Sequence, residues 1–335
     1  MQMTCFQAFS RGDESTMLRW ENQLPGLSMP ARLVHQMSPL KQDEAVLLAN
    51  DIAANGLKAI SAKNNNFCKR GRLLCDKSDI PNLDPCSVDS FLPYKRKLLD
   101  LIKDGFVGSC AQKTTLSDEA KQLHNTFFQL KDIVTVGQKL LFPDFHENGV
   151  SEKVSFLPHK VAQNIPFNSQ HLSKLLAAFN IPSSGSEVLI KEMANTLKAC
   201  EAPPSSIETK TCVTSIESMA EFISSVMGGS KVEAARSSLS TKKLSNQVVT
   251  VMGSKLLAPS TNKHVACHNM VFPYQVYYCH YVKDTNMYLV TLKEVKSGVV
   301  QNVVAECHMD TKPYPPNSLA LVELKIKPGE SEFCH

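Results

Sequence analysis

The spacing of apolar residues changes along this chain from a helical period to the alternation of strands. Met17-Leu18-Arg19-Trp20 begins an amphipathic piece that Pro25 and Pro30 interrupt. Residues 43–60 then set Ala45, Leu48, Ala49, Ile52, Ala53, Ala59 and Ile60 on one stripe, as a helix with a single buried face requires. The polar stretch 87–124 holds one expected helix, over 93–103, and extended segments punctuated by Pro143, Pro158 and Pro166 follow it. Three more helical stripes come next: Leu172, Leu175, Leu176 and Phe179; Leu189, Met193 and Leu197; Ile216, Met219, Ile223 and Val226. The last ends at Gly228-Gly229, a C-cap signal. Such stripes are core faces rather than binding sites. From Val248-Val249-Thr250-Val251 onward β-branched and aromatic residues dominate, in 274–279, 288–292 and 299–304. The predicted class is α+β, with a helical N-terminal region, a helical middle and an antiparallel, strand-rich, disulfide-stapled C-terminal half.

The length of 335 residues suggests two domains and suffices for a sizeable core. A net charge of +4, with Lys and Arg scattered, gives no argument for nucleic acid, and Lys95-Arg96-Lys97 reads as a solvated helix face. No apolar run has the length of a membrane span. Residues 1–20 lack the apolar core of a signal peptide, whereas 11 cysteines favour an oxidising compartment. An incomplete N-terminus reconciles the two, so an extracellular location is expected. No nucleophile elbow, phosphate loop or H-E-x-x-H motif is present.

The strand-rich half contains four Cys-His dipeptides: Cys267-His268, Cys279-His280, Cys307-His308 and Cys334-His335. Chance would supply roughly a third of one such pair. Successive side chains of a strand point to opposite faces, so each dipeptide sends its Cys one way and its His the other. Four such strands side by side would gather the thiols on one face, to pair as two disulfides, and the imidazoles on the other. Four imidazoles with few carboxylates nearby would favour Cu(II) over Zn(II) by the Irving–Williams order. The rival readings are a mixed Cys/His zinc site, which ordinarily uses C-x-x-C or H-x-x-x-H pairs, and residues that merely end strands. His264, four residues before His268, is a further candidate from the same strand face. His35, His124, His146, His159 and His171 stand alone. Spacing also pairs Cys68 with Cys75, and Cys200 with Cys212 across the Pro203-Pro204 turn, stapling the second of the three helices to the third. Cys5 or Cys110 is the cysteine left over.

The pattern CH-x10-CH-x26-CH-x25-CH, with Phe272-Pro273-Tyr274 in its first gap, resembles the plant BURP domain. The resemblance extends upstream through Phe127-Phe128, Ser155-Phe156-Leu157-Pro158, Cys200-Glu201-Ala202-Pro203 and Glu208-Thr209-Lys210-Thr211-Cys212, covering about 125–335. The family ordinarily carries a Trp nine residues after the last Cys-His, and this sequence stops at His335. The first region resembles the polygalacturonase non-catalytic beta-subunit-like subfamily in Leu18-Arg19-Trp20, Leu24-Pro25, Ser38-Pro39-Leu40, Phe67-Cys68 and Leu74-Cys75. Of that subfamily's Phe-x-x-Tyr repeats, only Ser90-Phe91-Leu92-Pro93-Tyr94 could be a remnant. The expected division is therefore 1–86, a linker at 87–124, and a BURP domain over 125–335. The resemblance implies a secreted, non-catalytic cell-wall protein that binds wall polysaccharide or a pectin-degrading enzyme. Some family members are instead copper-dependent peptide cyclases that join a Trp or Tyr side chain to another residue of a peptide. Here the one Trp, Trp20, lies outside any Gln-led core peptide, so a separate peptide would have to be the substrate.

Overall fold

The computed structural model describes residues 11–62, 64–75, 127–142, 153–237 and 247–335. Its N-terminal part is helical: α1 (Arg11–Gln23), α2 (Ala31–Gln36), α3 (Gln42–Asn55), α4 (Lys58–Ala62) and α5 (Asn64–Gly71). The single helix expected over 43–60 is thus two. Gly56, at φ 65°, caps α3 in a conformation that side chains resist, and the chain turns before α4. After α6 (Leu130–Val134) and β1 (Lys139–Leu141) come α7 (His159–Ala162), a 3-10 turn (Ser169–His171), α8 (Leu172–Ala178) and α9 (Glu187–Glu201). Strand β2 (Glu208–Val213) and α10 (Ile216–Met227) follow, and α10 ends on Gly228 in the left-handed conformation. The remainder is β3 (Val248–Ala258), β4 (Ala266–Met270), β5 (Val276–Val282), β6 (Thr285–Glu294), β7 (Val300–His308), α11 (Leu319–Leu324) and β8 (Phe333–Cys334). The expected helix over 93–103, Cys5 and Cys110 lie outside the described residues.

The strands form two antiparallel sheets, of five strands in the order β1-β3-β6-β7-β8 and of three in the order β2-β5-β4. The Cys-His strands therefore do not lie side by side in one sheet, as alternation alone suggested. Two belong to each sheet. Strand β2 was not expected, and it changes the role of one staple. Cys200–Cys212 ties α9 to β2, not to the next helix.

The N-terminal helices do not bury a core of their own. Leu48, Ile52 and Ile60 share one with Leu175 of α8, Met193 of α9 and Phe272, Tyr274 and Val276 around the start of β5. Backbone bonds cross the same boundary: Leu74 N–H donates to Pro273 O (2.8 Å), Ser155 N–H to Arg72 O (2.9 Å) and Phe156 N–H to Gln36 O (2.8 Å). Arg72 adds a clamp, donating from Nε to Ser155 Oγ (2.7 Å) and from its terminal nitrogen to the carbonyls of Met37 and His35. Trp20 packs with Ile216, Met219 and Tyr277 and donates its indole N–H to Leu27 O (2.8 Å). Cys68–Cys75, at a sequence separation of 7, closes the last turn of this region onto that core.

Candidate metal centre

Strand alternation builds the site. Cys267 and Cys279 face each other directly in the β4–β5 ladder, and Cys307 and Cys334 do so in β7–β8. Both pairs are bonded, with Cα atoms 4.0 Å apart in each. The sulfurs point into two apolar cores, Cys279 among Phe156 and Ile216, and Cys307 and Cys334 among Phe128 and Val249. The imidazoles consequently leave from the opposite faces, and those faces of the two sheets confront one another. Cys267, Cys279, Cys307 and Cys334 supply no thiolate, so the mixed Cys/His zinc arrangement has no sulfur ligands available.

The four imidazoles form two close pairs. His268 Nε2 lies 3.1 Å from His280 Nε2, and His308 Nε2 lies 3.2 Å from His335 Nε2. The rings of His268 and His335 are 6.2 Å apart, which joins the pairs into one cluster. Contrary to the expectation of few carboxylates, Glu306 stands between them. One of its oxygens is 3.6 Å from His268 Nε2 and the other 3.9 Å from His280 Nε2. The donors fall into two triads that share this carboxylate: His268, His280, Glu306 and Glu306, His308, His335. Glu306 was visible in principle, since it precedes His308 by two residues on one strand and must share its face.

Two further groups hold the imidazoles in place. Glu208 of β2 receives the His280 Nδ1 proton (3.1 Å) and, on the same oxygen, the Tyr278 hydroxyl proton (2.6 Å). A carboxylate only accepts, so Nδ1 of His280 carries a hydrogen and its Nε2 is the nitrogen turned to the cluster. Thr285 Oγ1 does the same for His308 Nδ1 (3.0 Å), its own proton directed at Lys283 O (3.4 Å). This is the outer-shell pattern that fixes ring orientation at metal sites.

The electrostatics favour a cation. Burial pushes the His268 imidazole down to about 4 and lowers His308 and His335 as well, so these rings are neutral at pH 7. Burial alone would raise Glu306, but attraction to the surrounding imidazoles in their protonated forms, His280 first and then His268, His335 and His308, outweighs it and holds the carboxyl at about 2. One anion beside the neutral rings of His268, His308 and His335 is a protonation state that suits a divalent metal. The spacing fits too. Two nitrogens each about 2.0 Å from one ion are about 2.8 Å apart at a right angle and about 3.3 Å apart at the tetrahedral angle. The observed 3.1 and 3.2 Å fall between. His280 and His308 are 2% and 1% exposed, whereas the side chain of His268 keeps 27%. The cluster is thus closed behind and open at one edge.

His159 and His171 do not join this cluster, and His124 and His146 lie outside the described residues. His159 bonds Ser215 Oγ (3.0 Å) and Gln163, and His171 bonds Asn168 Oδ1 (2.7 Å), so both rings are engaged elsewhere. A separate cleft, floored by Met37, Leu40 and Phe156 and edged by Arg19, Lys160 and Glu217, contains none of the Cys-His residues. No helix among the described residues is long and apolar enough to cross a membrane.

A family model described as the BURP domain matches residues 126–335. The chain is 34% identical over 225 residues to "BURP domain protein RD22" of Arabidopsis thaliana, covering 67% of this chain and 56% of that protein. It is 33% identical over 211 residues to "Polygalacturonase-1 non-catalytic subunit beta" of Solanum lycopersicum, covering 62% of this chain and 32% of that protein. With "Protein RAFTIN 1B" of Triticum aestivum it shares 31% over 210 residues, 63% of this chain and 57% of the relative. The chain therefore spans about half the length of the first relative and a third of the second.

Proposed function

This chain belongs to the BURP-domain family, and from that premise we propose that it is a secreted, non-catalytic cell-wall protein that associates with a pectin-degrading enzyme or with the wall polysaccharide itself, and that it carries a copper centre. The tomato relative, by its name a non-catalytic subunit of a polygalacturonase, supports the partner. The observation that carries the metal is the double triad around Glu306. His268 and His280 would hold one ion and His308 and His335 another, with Glu306 common to both. For a nitrogen-rich set without thiolate, Cu(II) outranks the other first-row ions. Copper bound there would supply a Lewis-acidic, redox-capable centre. In the non-catalytic reading it ties the two sheets together.

The test uses the purified full-length chain. Copper analysis should give metal bound in the parent and lost in His280→Ala. Co-sedimentation with pectin, with and without a polygalacturonase, should retain the chain in one of the two mixtures. Retention in neither refutes the wall role.

A second reading, the copper-dependent peptide cyclase, is favoured by one observation: the open edge at His268 leaves the cluster accessible to a substrate. It expects a Gln- and Trp-containing peptide added with copper and oxygen to lose two hydrogens, as judged by mass. No such loss leaves the non-catalytic reading standing.

A further inference from the structure

His264 is a buried imidazole that the two triads do not use. It is 8% exposed, and neither ring nitrogen has a hydrogen-bond partner among the described residues. Native structures rarely leave such a group unsatisfied without a reason. Its surroundings are specific. It lies two residues before Ala266, and Ala266 stands directly opposite His280 in the β4–β5 ladder. Ala266, the first residue of β4, shares with His268 and His280 the face from which their rings leave, and His264 stands just outside that strand end. The ring meets Tyr281 edge-on at 5.4 Å. The fields of Glu306 and His280 both act on it, and it in turn acts on His308. The Asn262 backbone carbonyl approaches the ring and favours its protonated form, though short of hydrogen-bonding geometry. Metal-ligating histidines turn one N–H to an acceptor such as a carbonyl and leave the other nitrogen for the ion, and a small rotation of His264 toward Asn262 would give it that arrangement.

We propose that His264 is a fifth nitrogen donor of the copper centre, drawn by side-chain rotation onto the ion held by His268, His280 and Glu306. The inference rests on the metal reading above and deepens it. A donor set of two nitrogens and one carboxylate becomes three nitrogens and one carboxylate, enough to complete a four-coordinate Cu(II) site. It also makes the two ions unequal, because a single His264 can complete the coordination of only one of them. The first equivalent of copper therefore goes to the His264 side.

Titration of the full-length protein with Cu(II), followed by electron paramagnetic resonance and competition with a chelator, tests this. In the parent, the first equivalent should show coupling to three nitrogens. In His264→Phe, which keeps an aromatic ring against Tyr281, it should show two, with affinity for the first ion lower by about tenfold or more. His264→Asn provides a second variant should the phenyl ring disturb folding, and thermal unfolding of each apo protein confirms that the fold is kept. Spectra and affinity identical to the parent in a folded variant would overturn the inference while leaving the four-histidine centre intact. A parent that takes up no copper would overturn the centre itself, and His264 with it.

Discussion

Loss of the Cys307–Cys334 bond should damage the metal centre more than loss of Cys267–Cys279, although the two bonds look equivalent in the sequence. The chain-entropy estimate depends on the loop closed. A separation of 27 residues corresponds to about 3.5 kcal/mol for Cys307–Cys334 and a separation of 12 to about 2.8 kcal/mol for Cys267–Cys279. Global stability alone barely separates them. Local support does. Strands β4 and β5 share five residue pairs, so His268 and His280 stay in register without their disulfide. Strand β8 has two paired residues, plus a bridge from Cys334 to Phe128 and a reciprocal backbone pair between Glu306 and His335. Without its sulfur bond, that short ladder must hold His335 in place by itself. The Cys307→Ser/Cys334→Ser variant should lose about 3.5 kcal/mol in urea unfolding and also the copper bound at Glu306, His308 and His335. The Cys267→Ser/Cys279→Ser variant should lose a similar stability but keep the ion at His268 and His280. Copper stoichiometry unchanged in the first variant would refute the argument that the disulfide positions His335.

Three further outcomes follow from the same geometry. Glu306→Gln should lower copper affinity by more than tenfold at both triads, since it removes the one anion they share; chelator competition measures it, and an effect confined to one ion would break the bridging assignment. Glu208→Gln should cost about 10–100-fold in affinity at His280 with the apo fold retained, read by calorimetric titration, because the carboxylate fixes that ring's tautomer. The apo protein should lose stability as pH falls from about 6.5 to about 4. His268 binds its proton near 6.5 when unfolded but only near 4 when folded, so acid favours the unfolded chain across that window. With its side chain 27% exposed, the loss is about 2–3 kcal/mol. Urea midpoints at pH 7, 5.5 and 4 test it, and a flat profile would contradict a neutral buried ring.

The helices were legible because each buries one face, and the 3.6-residue period survives in Leu189, Met193 and Leu197 as plainly as in Ile216 and Met219. The strand faces were legible for the same reason at period two, which separated cysteines from histidines before any pairing was known. Pairing itself was not. Alternation assigns each residue a face but says nothing of which strand lies next to which, so one four-strand arrangement was expected where two sheets meet face to face. Strand β2 escaped because Glu208-Thr209-Lys210-Thr211-Cys212-Val213 has almost no apolar alternation; it is held by its ladder to β5 and buries little along its length. Glu306 belongs to no Cys-His dipeptide and carries no motif of its own, although its offset of two residues from His308 already placed it among the imidazoles.

The seam between the N-terminal helices and the rest of the molecule has a consequence for the chain's capacity to change. Cys75 sits in the same core as Tyr274, and Phe127 packs against Phe333, with Phe128 bonded to Cys334. Residues 75 and 127 are therefore two fixed points of one folded body. The entropic cost of joining two such points rises only with the logarithm of the length between them, about 0.6 kcal/mol for each doubling. Sequence inserted between these points can lengthen several-fold while the histidine cluster and its disulfides experience almost none of it. The fold thus has a built-in insertion port, where new sequence can be tried without renegotiating the core.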